Sequence, residues 1–361
     1  MSPKKKKKSV KKKSSGILKK ILGFLVLCGC IVGGYVGYLY YTNFMKANVD
    51  TKGEEVYLMI PRNANTEQVL TLINELDIII DESSLIWMAE KKNYKGRNIV
   101  AGKYRIKDGL SNNSLINHLR AGNGKLDMTI TFNQVRDLKQ LSGAITRGIM
   151  LDSLDVYNWL SNKDSIRKYG FNENTIISMF IPNTYNVDWD VTASELMARM
   201  AKEYKDFWNE ERIKKSKALK LSQSEITTLA SVVYWETKKP KDMRTVAGVY
   251  LNRLRIGMPL QADPTLIFAL GDYTIRRVLD KHKEIDSPYN TYKYNGLPPG
   301  PIIIPPISYI DAVLNYEKHD YLYFVAKEDF SGDSYFAKTY SQHLIYARRY
   351  QNALNKRNVY R

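Results

Sequence analysis

The longest uninterrupted apolar run of the chain lies near its N-terminus. Residues 21–44 contain no charged side chain, and a helix of this length can cross the hydrocarbon core of a bilayer with some tilt. A cleaved signal peptide would have a shorter apolar core and a small-residue cleavage site, and neither is evident. The run therefore predicts a single transmembrane helix over residues 21–44.

Further along, the hydrophobic pattern predicts a small subdomain over residues 50–125. Residues 56–60 predict a strand that ends at a turn, and residues 101–106 predict a second short strand. Between the strands two helices are expected, and the first has apolar side chains at helical spacing, at positions 69, 72, 73 and 76. The predicted order is strand, helix, helix, strand.

The rest of the chain, residues 126–361, mixes both kinds of element. A strand is predicted over residues 128–132 and another over residues 321–325, with helices through Arg147, Leu160 and Ala201. Long loops between residues 271 and 306 hold much of the proline and glycine, and loops of that length are often functional. The predicted fold class is α+β, closed by a basic helical tail over residues 341–361 that is expected to present a solvated face.

One carboxylate interrupts an otherwise apolar helical stripe. In the predicted helix over residues 227–237, Leu229, Val232, Val233 and Glu236 share one face of an amphipathic helix. Burial disfavours the anion and raises the pKa of a carboxyl group. A carboxylic acid that keeps its proton near neutral pH can act as a general acid.

The simpler interpretation of Glu236 is a side chain that reaches water at the edge of the stripe, or that pairs with Lys238 or Lys239. Pro240 is predicted to end the helix, and a second helical pattern follows over residues 243–254. Spacing alone leaves both interpretations open.

Ten lysines precede the apolar run, at positions 4–8, 11–13, 19 and 20. By the positive-inside rule they predict a cytoplasmic segment over residues 1–20. The chain would then be a single-pass protein of the cytoplasmic (inner) membrane, with the remainder on the extracytoplasmic or periplasmic side. Without these lysines the net charge of +18 falls to +8, from 45 basic against 37 acidic residues. A nucleic-acid-binding arm is the competing interpretation, but membrane orientation is the simpler explanation, and no nucleic acid is expected.

The composition predicts neither a metal nor another cofactor. Both cysteines, Cys28 and Cys30, lie inside the apolar run, so the exported part has no disulfide and no thiolate metal site. Leu27 is too bulky for the residue that precedes a lipidated cysteine, which argues against a lipoprotein. The four histidines lack zinc-binding spacing, and no glycine-rich phosphate loop is present.

Several motifs after Glu236 follow one another in a recognisable order. They are Asn-Arg-Leu-Arg-Ile-Gly-Met-Pro-Leu-Gln-Ala-Asp-Pro-Thr (residues 252–265), Ser-Pro-Tyr-Asn-Thr-Tyr (287–292) and Gly-Leu-Pro-Pro-Gly-Pro-Ile (296–302). Together with Glu236 they resemble the endolytic murein transglycosylases of the MltG or YceG-like family, which cleave the glycan strands of peptidoglycan. The resemblance covers most of residues 50–350 and is densest over residues 228–305.

This resemblance implies a LysM-like subdomain over residues 50–125 and a YceG-like catalytic domain over residues 126–361. LysM modules bind glycans that contain N-acetylglucosamine, so the first implies a glycan-positioning role; a spacer without sugar affinity is the alternative. The resemblance also implies peptidoglycan strands as substrate of a membrane-bound enzyme. Peptidoglycan synthases and the division or elongation machinery are the implied partners.

The resemblance further implies a lytic transglycosylase, which is a lyase, with Glu236 as both acid and base. The acid protonates the glycosidic oxygen between N-acetylmuramic acid and N-acetylglucosamine. It then takes the proton of the muramyl C6 hydroxyl, which attacks C1 and leaves a 1,6-anhydromuramyl end without consuming water. Where the family often has a second acidic residue, two positions earlier, this chain has Tyr234.

Six residues of these motifs are candidates for substrate binding, through amide, carboxylate or aromatic groups: Asn252, Gln261, Asp263, Tyr289, Asn290 and Tyr292. The alternatives are that the amides satisfy buried loop backbone, that Asp263 forms a turn before a proline, and that Tyr292 packs in the core. The segment over residues 296–300 predicts a rigid loop wall.

The chain departs from the family pattern at Asn183 and Ser334, where relatives often have Asp and His, while His343 is retained. Two other functions stay open. One is a muramidase hydrolase with Asp263 or Asp242 as a second carboxylate. The other is a non-catalytic peptidoglycan-binding scaffold in which Glu236 is structural.

Overall fold

The computed structural model of the chain describes residues 15–275 and 277–356. Most of the predicted cytoplasmic segment and the last five residues of the predicted C-terminal helix lie outside the described residues. The chain divides into two compact units, one that ends at Leu126 and one that begins at Asp127. Each unit has a hydrophobic core of its own, and the second unit has two.

The first unit combines a two-stranded antiparallel sheet with four helices among its described residues. The elements are α1 (Ser15–Tyr40), β1 (Val56–Ile60), α2 (Thr66–Asn74), α3 (Glu82–Lys91), β2 (Gly102–Ile106) and α4 (Asn112–Ala121). In the sheet Leu58 lies opposite Tyr104, and both side chains are buried. The predicted order of strand, helix, helix, strand is confirmed.

Helix α4 was not predicted from the sequence, although its end signals are clear. Ser111 caps its first turn by accepting a hydrogen bond from the Ser114 amide, and Gly122 closes it in the left-handed conformation. Its apolar side chains Leu115, Ile116 and Leu119 complete the core of the first unit.

Helix α1 continues into a π-helical turn, Tyr41–Met45. The apolar helical segment Lys19–Met45 therefore has 27 residues, and by length and composition it could cross a membrane. None of its apolar window is buried inside the structure. The predicted span over residues 21–44 matches this segment closely.

The second unit surrounds two small antiparallel sheets with helices. Its helices are α5 (Leu138–Ile145), α6 (Ser153–Ser161), α7 (Lys163–Arg167), α8 (Ala193–Phe207), α9 (Glu210–Leu219), α10 (Gln223–Glu236), α11 (Pro240–Arg255), α12 (Asp263–Leu270), α13 (Ile307–Leu314) and α14 (Tyr340–Lys356). Strand β3 (Met128–Phe132) pairs with β4 (Asn183–Val187), and β5 (Tyr323–Ala326) pairs with β6 (Ser334–Ala337). The mixed α+β class is as predicted.

Helix α10 is the central helix of the larger core, and neighbouring helices contact it on several sides. Every residue from Ile226 to Tyr234 is buried, so the prediction of an amphipathic helix with a polar face was wrong. Three hydroxyl groups explain the difference. Thr227, Thr228 and Ser231 each donate a hydrogen bond to a backbone carbonyl of α10 itself, at 2.6–3.0 Å, and are therefore buried with their donors satisfied.

Pro240 begins α11 instead of ending α10. Helix α10 stops at Glu236, residues 237–239 form the connection, and Pro240 occupies the first turn of α11. A proline is tolerated there because the amide it lacks would have no partner within the helix. Glu236 is consequently the last residue of a buried helix.

The C-terminal helix α14 is only partly the solvated tail that was expected. Tyr346 stacks on Tyr335 of β6 with ring centroids 4.4 Å apart, and His343 stacks on Tyr323 of β5 at 5.3 Å. Arg348 and Arg349 on the outer face are exposed. The sheet therefore covers one face of α14.

Candidate active site

The carboxyl group of Glu236 accepts a hydrogen bond from a buried tyrosine of the next helix. The Oη of Tyr250, on α11, lies 2.7 Å from Oε1 of Glu236. Tyr250 is 2% exposed, and burial raises the pKa of its hydroxyl well above the usual value. The phenol therefore remains a proton donor towards the carboxylate across the physiological pH range.

Burial raises the pKa of Glu236 to about 7. The hydrogen bond from Tyr250 opposes this shift by stabilising the anion, the negative charge of Asp263 adds to it, and the positive charge of Arg253 opposes it. The result is a carboxyl group that is present in both protonation states near neutral pH. This fits the predicted general acid.

Arg253 is a buried cation one turn further along α11 than Tyr250. Its guanidinium donates to the carbonyls of Leu322, Leu260 and Pro259 at 2.6, 2.8 and 3.3 Å. It also lies over the ring of Tyr323, with 5.1 Å to the centroid. Arg253 thus ties the segment before α12 to the segment before β5, and its charge acts on Glu236 from a fixed position.

Asp263 and Tyr292 are brought together beside Glu236. The Tyr292 hydroxyl donates a hydrogen bond to Oδ1 of Asp263. The negative charge of Asp263 adds to the raised pKa of Glu236, and burial, Asp263 and Glu236 together raise the pKa of Tyr292. Asp263 is exposed and Tyr292 is half-buried, so both have access to a bound molecule. Of the six predicted substrate-binding residues, these two have the placement that fits the prediction best.

The loop that carries Tyr292 is held against α12 by threonines. Thr291 accepts a hydrogen bond from the Ala262 amide at 2.9 Å and shares another of the same length with the Thr265 hydroxyl. Thr265 and Thr291 are both buried. This pair fixes the start of α12 and therefore fixes Asp263.

The amides of Asn252 and Asn290 are engaged with the main chain. Asn252, on α11, donates to the carbonyls of His319 and Tyr321 at 2.7 and 3.0 Å. Asn290 donates to the carbonyls of Lys283 and Ile285, both at 2.8 Å. Both side chains are buried, and their contacts match the alternative in which these amides satisfy the backbone carbonyls of buried loops. Their direct binding of sugar stays a prediction.

Gln261 and Tyr289 flank the same region. Gln261 is exposed and has a φ of 51°, while its backbone amide donates to the Thr291 carbonyl at 3.0 Å. Tyr289 is half-buried and lies against Phe268 of α12, with ring centroids 4.7 Å apart. The Gln261 side chain is free to reach a ligand, whereas the Tyr289 ring has a packing contact.

An arginine that was not singled out from the sequence lies beside the end of α10. Arg136, in the loop after β3, places its guanidinium carbon 4.4 Å from the ring centroid of Tyr273 and 5.7 Å from that of Trp235. Its buried Nε has no hydrogen-bond partner among the described residues. A guanidinium next to the residue that precedes Glu236 is suited to an anionic group of a ligand.

The lysines after Glu236 do not neutralise it. Lys238 donates to the Tyr234 carbonyl and lies 3.1 Å from the centroid of the Tyr234 ring. Burial lowers the pKa of Lys238 to about 8. Among the residues that the structure describes, Tyr250 is the hydrogen-bond donor to the Glu236 carboxyl. The interpretation of Glu236 as the partner of Lys238 or Lys239 in a surface ion pair therefore does not fit.

Ser334 and Asn183, which depart from the family pattern, are the first residues of β6 and β4. Asp242 is buried and accepts a hydrogen bond from the Ser334 amide at 3.2 Å, which makes it a structural carboxylate at the start of β6. Burial lowers the pKa of His343, and the charge of Arg253 adds to this. Asn183, the first residue of β4, is exposed and accepts from the Thr184 amide at 2.8 Å.

The predicted loop wall over residues 296–300 rests on a close backbone approach. A Cβ on Gly300 would lie 1.9 Å from the Asn174 carbonyl oxygen, so only glycine fits there. Among the described residues, no cluster of three or more His, Cys, Asp or Glu side chains could hold a metal ion.

Comparison with known proteins adds an independent line of evidence. The sequence model of the YceG-like family matches residues 58–349 of the chain. The chain belongs to the YceG-like family. The match includes Glu236 and all six predicted substrate-binding residues, and the resemblance inferred from the motifs is confirmed.

Two curated proteins are similar to this one over most of the chain. A protein of Bacillus subtilis (strain 168) named endolytic murein transglycosylase is 30% identical over 342 residues, covering 91% of this chain and 93% of that protein. A protein of the same name from Streptococcus pneumoniae (strain D39) is 26% identical over 362 residues, covering 90% of this chain. The match spans 63% of that longer protein.

A solved structure supports the fold. The crystal structure of a yceG-like protein from Listeria monocytogenes is 27% identical to this chain and superposes with a TM-score of 0.52. The superposition covers 81% of this chain and 98% of that one.

Proposed function

We propose that this protein is a membrane-anchored endolytic transglycosylase that cleaves peptidoglycan strands between N-acetylmuramic acid and N-acetylglucosamine, with Glu236 as the general acid and base. The observation that carries the proposal is the Glu236 carboxyl, which has a pKa of about 7 and a hydrogen bond from Tyr250. Membership of the YceG-like family, with relatives named endolytic murein transglycosylases, supplies the substrate class.

The proposed reaction uses this carboxyl group twice. Protonated Glu236 donates its proton to the glycosidic oxygen as the C1–O bond breaks, and N-acetylglucosamine leaves with a free hydroxyl. The muramyl C6 hydroxyl then attacks C1 and gives its proton to the Glu236 carboxylate. The acid is restored, and the product is a 1,6-anhydromuramyl end. A pKa near the working pH serves both steps, because neither protonation state is strongly disfavoured.

Tyr250 supports the second half of this cycle. When Glu236 has lost its proton, the Tyr250 hydroxyl donates to a charged acceptor, and such hydrogen bonds are stronger than neutral ones. The bond also fixes the orientation of the carboxyl group. We therefore assign Tyr250 as a positioning residue, with Asp263, Tyr292 and Gln261 as the proposed substrate contacts.

The first test is the Glu236→Gln variant of the full chain, solubilised in detergent and incubated with purified peptidoglycan. We expect loss of at least about a thousandfold in cleavage, because the amide keeps the shape but has no proton to transfer. Mass spectrometry of the digests measures it. Glu211→Gln, an exposed glutamate of α9 that pairs with Lys215, is the matched control and should cleave normally.

A hydrolase is the second candidate, because Asp263 lies near enough to raise the pKa of Glu236 and could activate a water. Digestion in water enriched in oxygen-18 separates the two reactions. A transglycosylase leaves anhydro ends that contain no label and resist borohydride reduction. A hydrolase leaves labelled, reducible ends, and that result would replace our proposal. Persistent cleavage by Glu236→Gln would show that Glu236 is not the general acid.

For the first unit we propose the LysM-like, glycan-positioning role. Its β1–α2 connection borders an open groove of about 430 Å³ that includes Asn63, Gln68 and Thr71. Binding of N-acetylglucosamine oligomers to the full-length Glu236→Gln variant, followed by NMR saturation transfer, tests this role. Thr71→Trp should fill the groove and weaken binding; equal binding by both proteins would assign the sugar to another site.

We further propose that the helix Lys19–Met45 anchors the protein in the cytoplasmic membrane, with the N-terminus inside and both units outside, where new strands emerge. The support is the helix itself and the ten lysines before it. Protease accessibility of a tag at either terminus in sealed cells tests the orientation. A C-terminal tag that is protected from external protease would contradict it.

A further inference from the structure

We propose that one face of the first unit lies against the lipid headgroups of the bilayer in which α1 is embedded. This face, named here the interfacial face, consists of the exposed side chains of Met45, Ile80, Ile86 and Trp87. The inference rests on the proposed membrane anchoring and is independent of the proposed reaction. Its ligand is a lipid surface, contacted by a folded domain in addition to the spanning helix.

The connection between the apolar helix and the rest of the first unit is short and hydrogen-bonded. The backbone amides of Asn48 and Val49 donate to the Leu110 carbonyl at 2.9 and 3.0 Å, and the Ile80 amide donates to the Asn48 carbonyl at 3.0 Å. The chain is therefore attached to the unit within four residues of Phe44. A tether of this kind cannot hold the unit far from the membrane surface.

The side chain of Asn48 reinforces this attachment. Its amide donates to the Asp81 carbonyl at 2.8 Å and to Oδ1 of Asn112 at 2.7 Å, and its oxygen accepts from the Asp81 amide at 2.8 Å. Asn48 is 6% exposed. Hydrogen bonds between buried polar groups are well defined in geometry, because breaking one leaves an unsatisfied group. The orientation of the unit relative to the helix end is thereby fixed.

The end of the helix contacts the interfacial face directly. The rings of Phe44 and Trp87 meet edge-on with centroids 5.8 Å apart, and Tyr40 stacks on Phe44 at 4.9 Å. Residues 21–44 form about 36 Å of helix at about 1.5 Å per residue, which exceeds a hydrocarbon core of about 30 Å. Phe44 and the Trp87 ring beside it are then at headgroup depth, where tryptophan and tyrosine are enriched.

The exposed apolar side chains of the first unit are concentrated here. Outside the apolar helix, its described residues include four large hydrophobic side chains that are more than a third exposed: Met59, Ile80, Ile86 and Trp87. Three of the four lie within eight consecutive residues, in the segment that contacts Phe44. The same segment also has exposed Asp81, Glu82 and Glu90 beside Lys46 and Lys91, so the apolar side chains, and not its charge, favour the lipid surface. Clustered exposed apolar side chains indicate an interaction site, and the fixed attachment indicates lipid as the occupant.

Tryptophan fluorescence of the full chain in nanodiscs tests this inference. Trp87 is the only tryptophan of the first unit, since the other four are Trp159, Trp189, Trp208 and Trp235. The nanodiscs contain phosphatidylcholine and phosphatidylglycerol brominated either near the carbonyl end or near the methyl end of the acyl chain. We expect quenching that is stronger with bromine near the carbonyl end and that disappears in Trp87→Phe.

The controls separate the possible outcomes. Trp159→Phe, on α6 of the second unit, should keep the quenched component. Trp87→Phe retains an aromatic ring against Phe44, so it should fold. Quenching that is absent, or equal in the wild type and in Trp87→Phe, would overturn the proposal. Retention of the chain by the nanodiscs reports the anchoring itself, so failure of the anchor and failure of the interfacial face are distinguished.

Discussion

At Glu236, opposing influences set the pKa of one carboxyl group. Burial raises it to about 7, and the hydrogen bond from Tyr250 keeps it from rising further. The first chemical step needs the protonated form, which is populated below the pKa. The pH dependence of cleavage therefore reports on the surroundings of this one residue.

Tyr250→Phe should shift the alkaline limb of the pH–rate profile upward. Removing a hydrogen bond to a charged group costs about 1.5–3 kcal/mol, which corresponds to about one pKa unit or more. The variant should keep its protonated acid to higher pH while its maximal rate falls, because the carboxylate is less well held. Initial rates on solubilised strands between about pH 5 and pH 9 measure both effects.

Tyr309→Phe is the matched control for that experiment. Tyr309 is also buried, but its hydroxyl donates to the Thr237 carbonyl at 3.0 Å and not to the carboxyl group. Its profile should keep the wild-type alkaline limb. An unshifted limb in Tyr250→Phe would show that the hydrogen bond does not control the acid.

Arg136→Gln should weaken binding of the strands without moving the pH limb. The guanidinium lies over Tyr273 and beside Trp235, and its Nε has no partner among the described residues. We expect KM to rise about tenfold, the loss of about one charged hydrogen bond, with kcat little changed. Steady-state kinetics on peptide-bearing strands provide the measurement.

Arg136→Lys keeps the charge but not the planar donor geometry, so it should recover only part of the loss. Binding of N-acetylglucosamine oligomers, which lack carboxylates, should be unchanged in both variants. A loss of kcat with unchanged KM would contradict the substrate-binding role.

The sequence alone singled out Glu236, Asp263 and Tyr292 but not Tyr250 or Arg136, and the reason is distance along the chain. Tyr250 fits the second helical pattern, over residues 243–254, as one more apolar position, because a tyrosine satisfies such a pattern whether or not its hydroxyl has a partner. Arg136 reaches the end of α10 from a loop 100 residues earlier. Periodicity describes only local neighbours, so such contacts are invisible to it.

At the scale of elements, strands β1 and β3 have the predicted bounds, because β1 is a short apolar run and β3 alternates apolar and polar residues. Helix α10 begins earlier than predicted, at Gln223, after a capping box formed by Ser222 and Glu225. Its burial on all sides could not be predicted, because threonine and serine look polar in a pattern even when their hydroxyls bond to their own helix.

Gly300→Ala should disturb the loop wall. The added methyl group would lie 1.9 Å from the Asn174 carbonyl oxygen, so the loop must move. We expect a loss of about 1–3 kcal/mol in the free energy of unfolding together with reduced cleavage. Urea titration followed by circular dichroism measures the first effect.

Gly143→Ala is the corresponding control within α5. No atom lies within 4 Å of its added Cβ, and alanine is a better helix former than glycine by about 1 kcal/mol. This variant should be as stable as the wild type or more stable. A similar loss in both variants would mean that the contact with Asn174 is not the cause.

At the scale of the whole molecule, the separate cores predict separable stability. Leu115 is 1% exposed in the core of the first unit, and Leu115→Ala should cost about 2–5 kcal/mol. Calorimetry of the solubilised chain should show one thermal unfolding transition at a lower temperature and another at an unchanged temperature. Leu229→Ala, in the core around α10, should lower the temperature of the transition that Leu115→Ala leaves unchanged. An equal shift of all transitions in either variant would contradict separate cores.

The hydrogen bonds of Asn48 have a mechanical consequence. A flexible linker would let the helix turn about its axis while the folded domain stayed still. Here the buried hydrogen bonds of Asn48 to Asp81 and Asn112 attach the chain to the first unit three residues after Met45, and Phe44 contacts Trp87. Rotation or tilting of the helix is therefore transmitted to the first unit. A protein that binds the helix within the bilayer would consequently reorient a domain on the far side of the membrane surface without touching it.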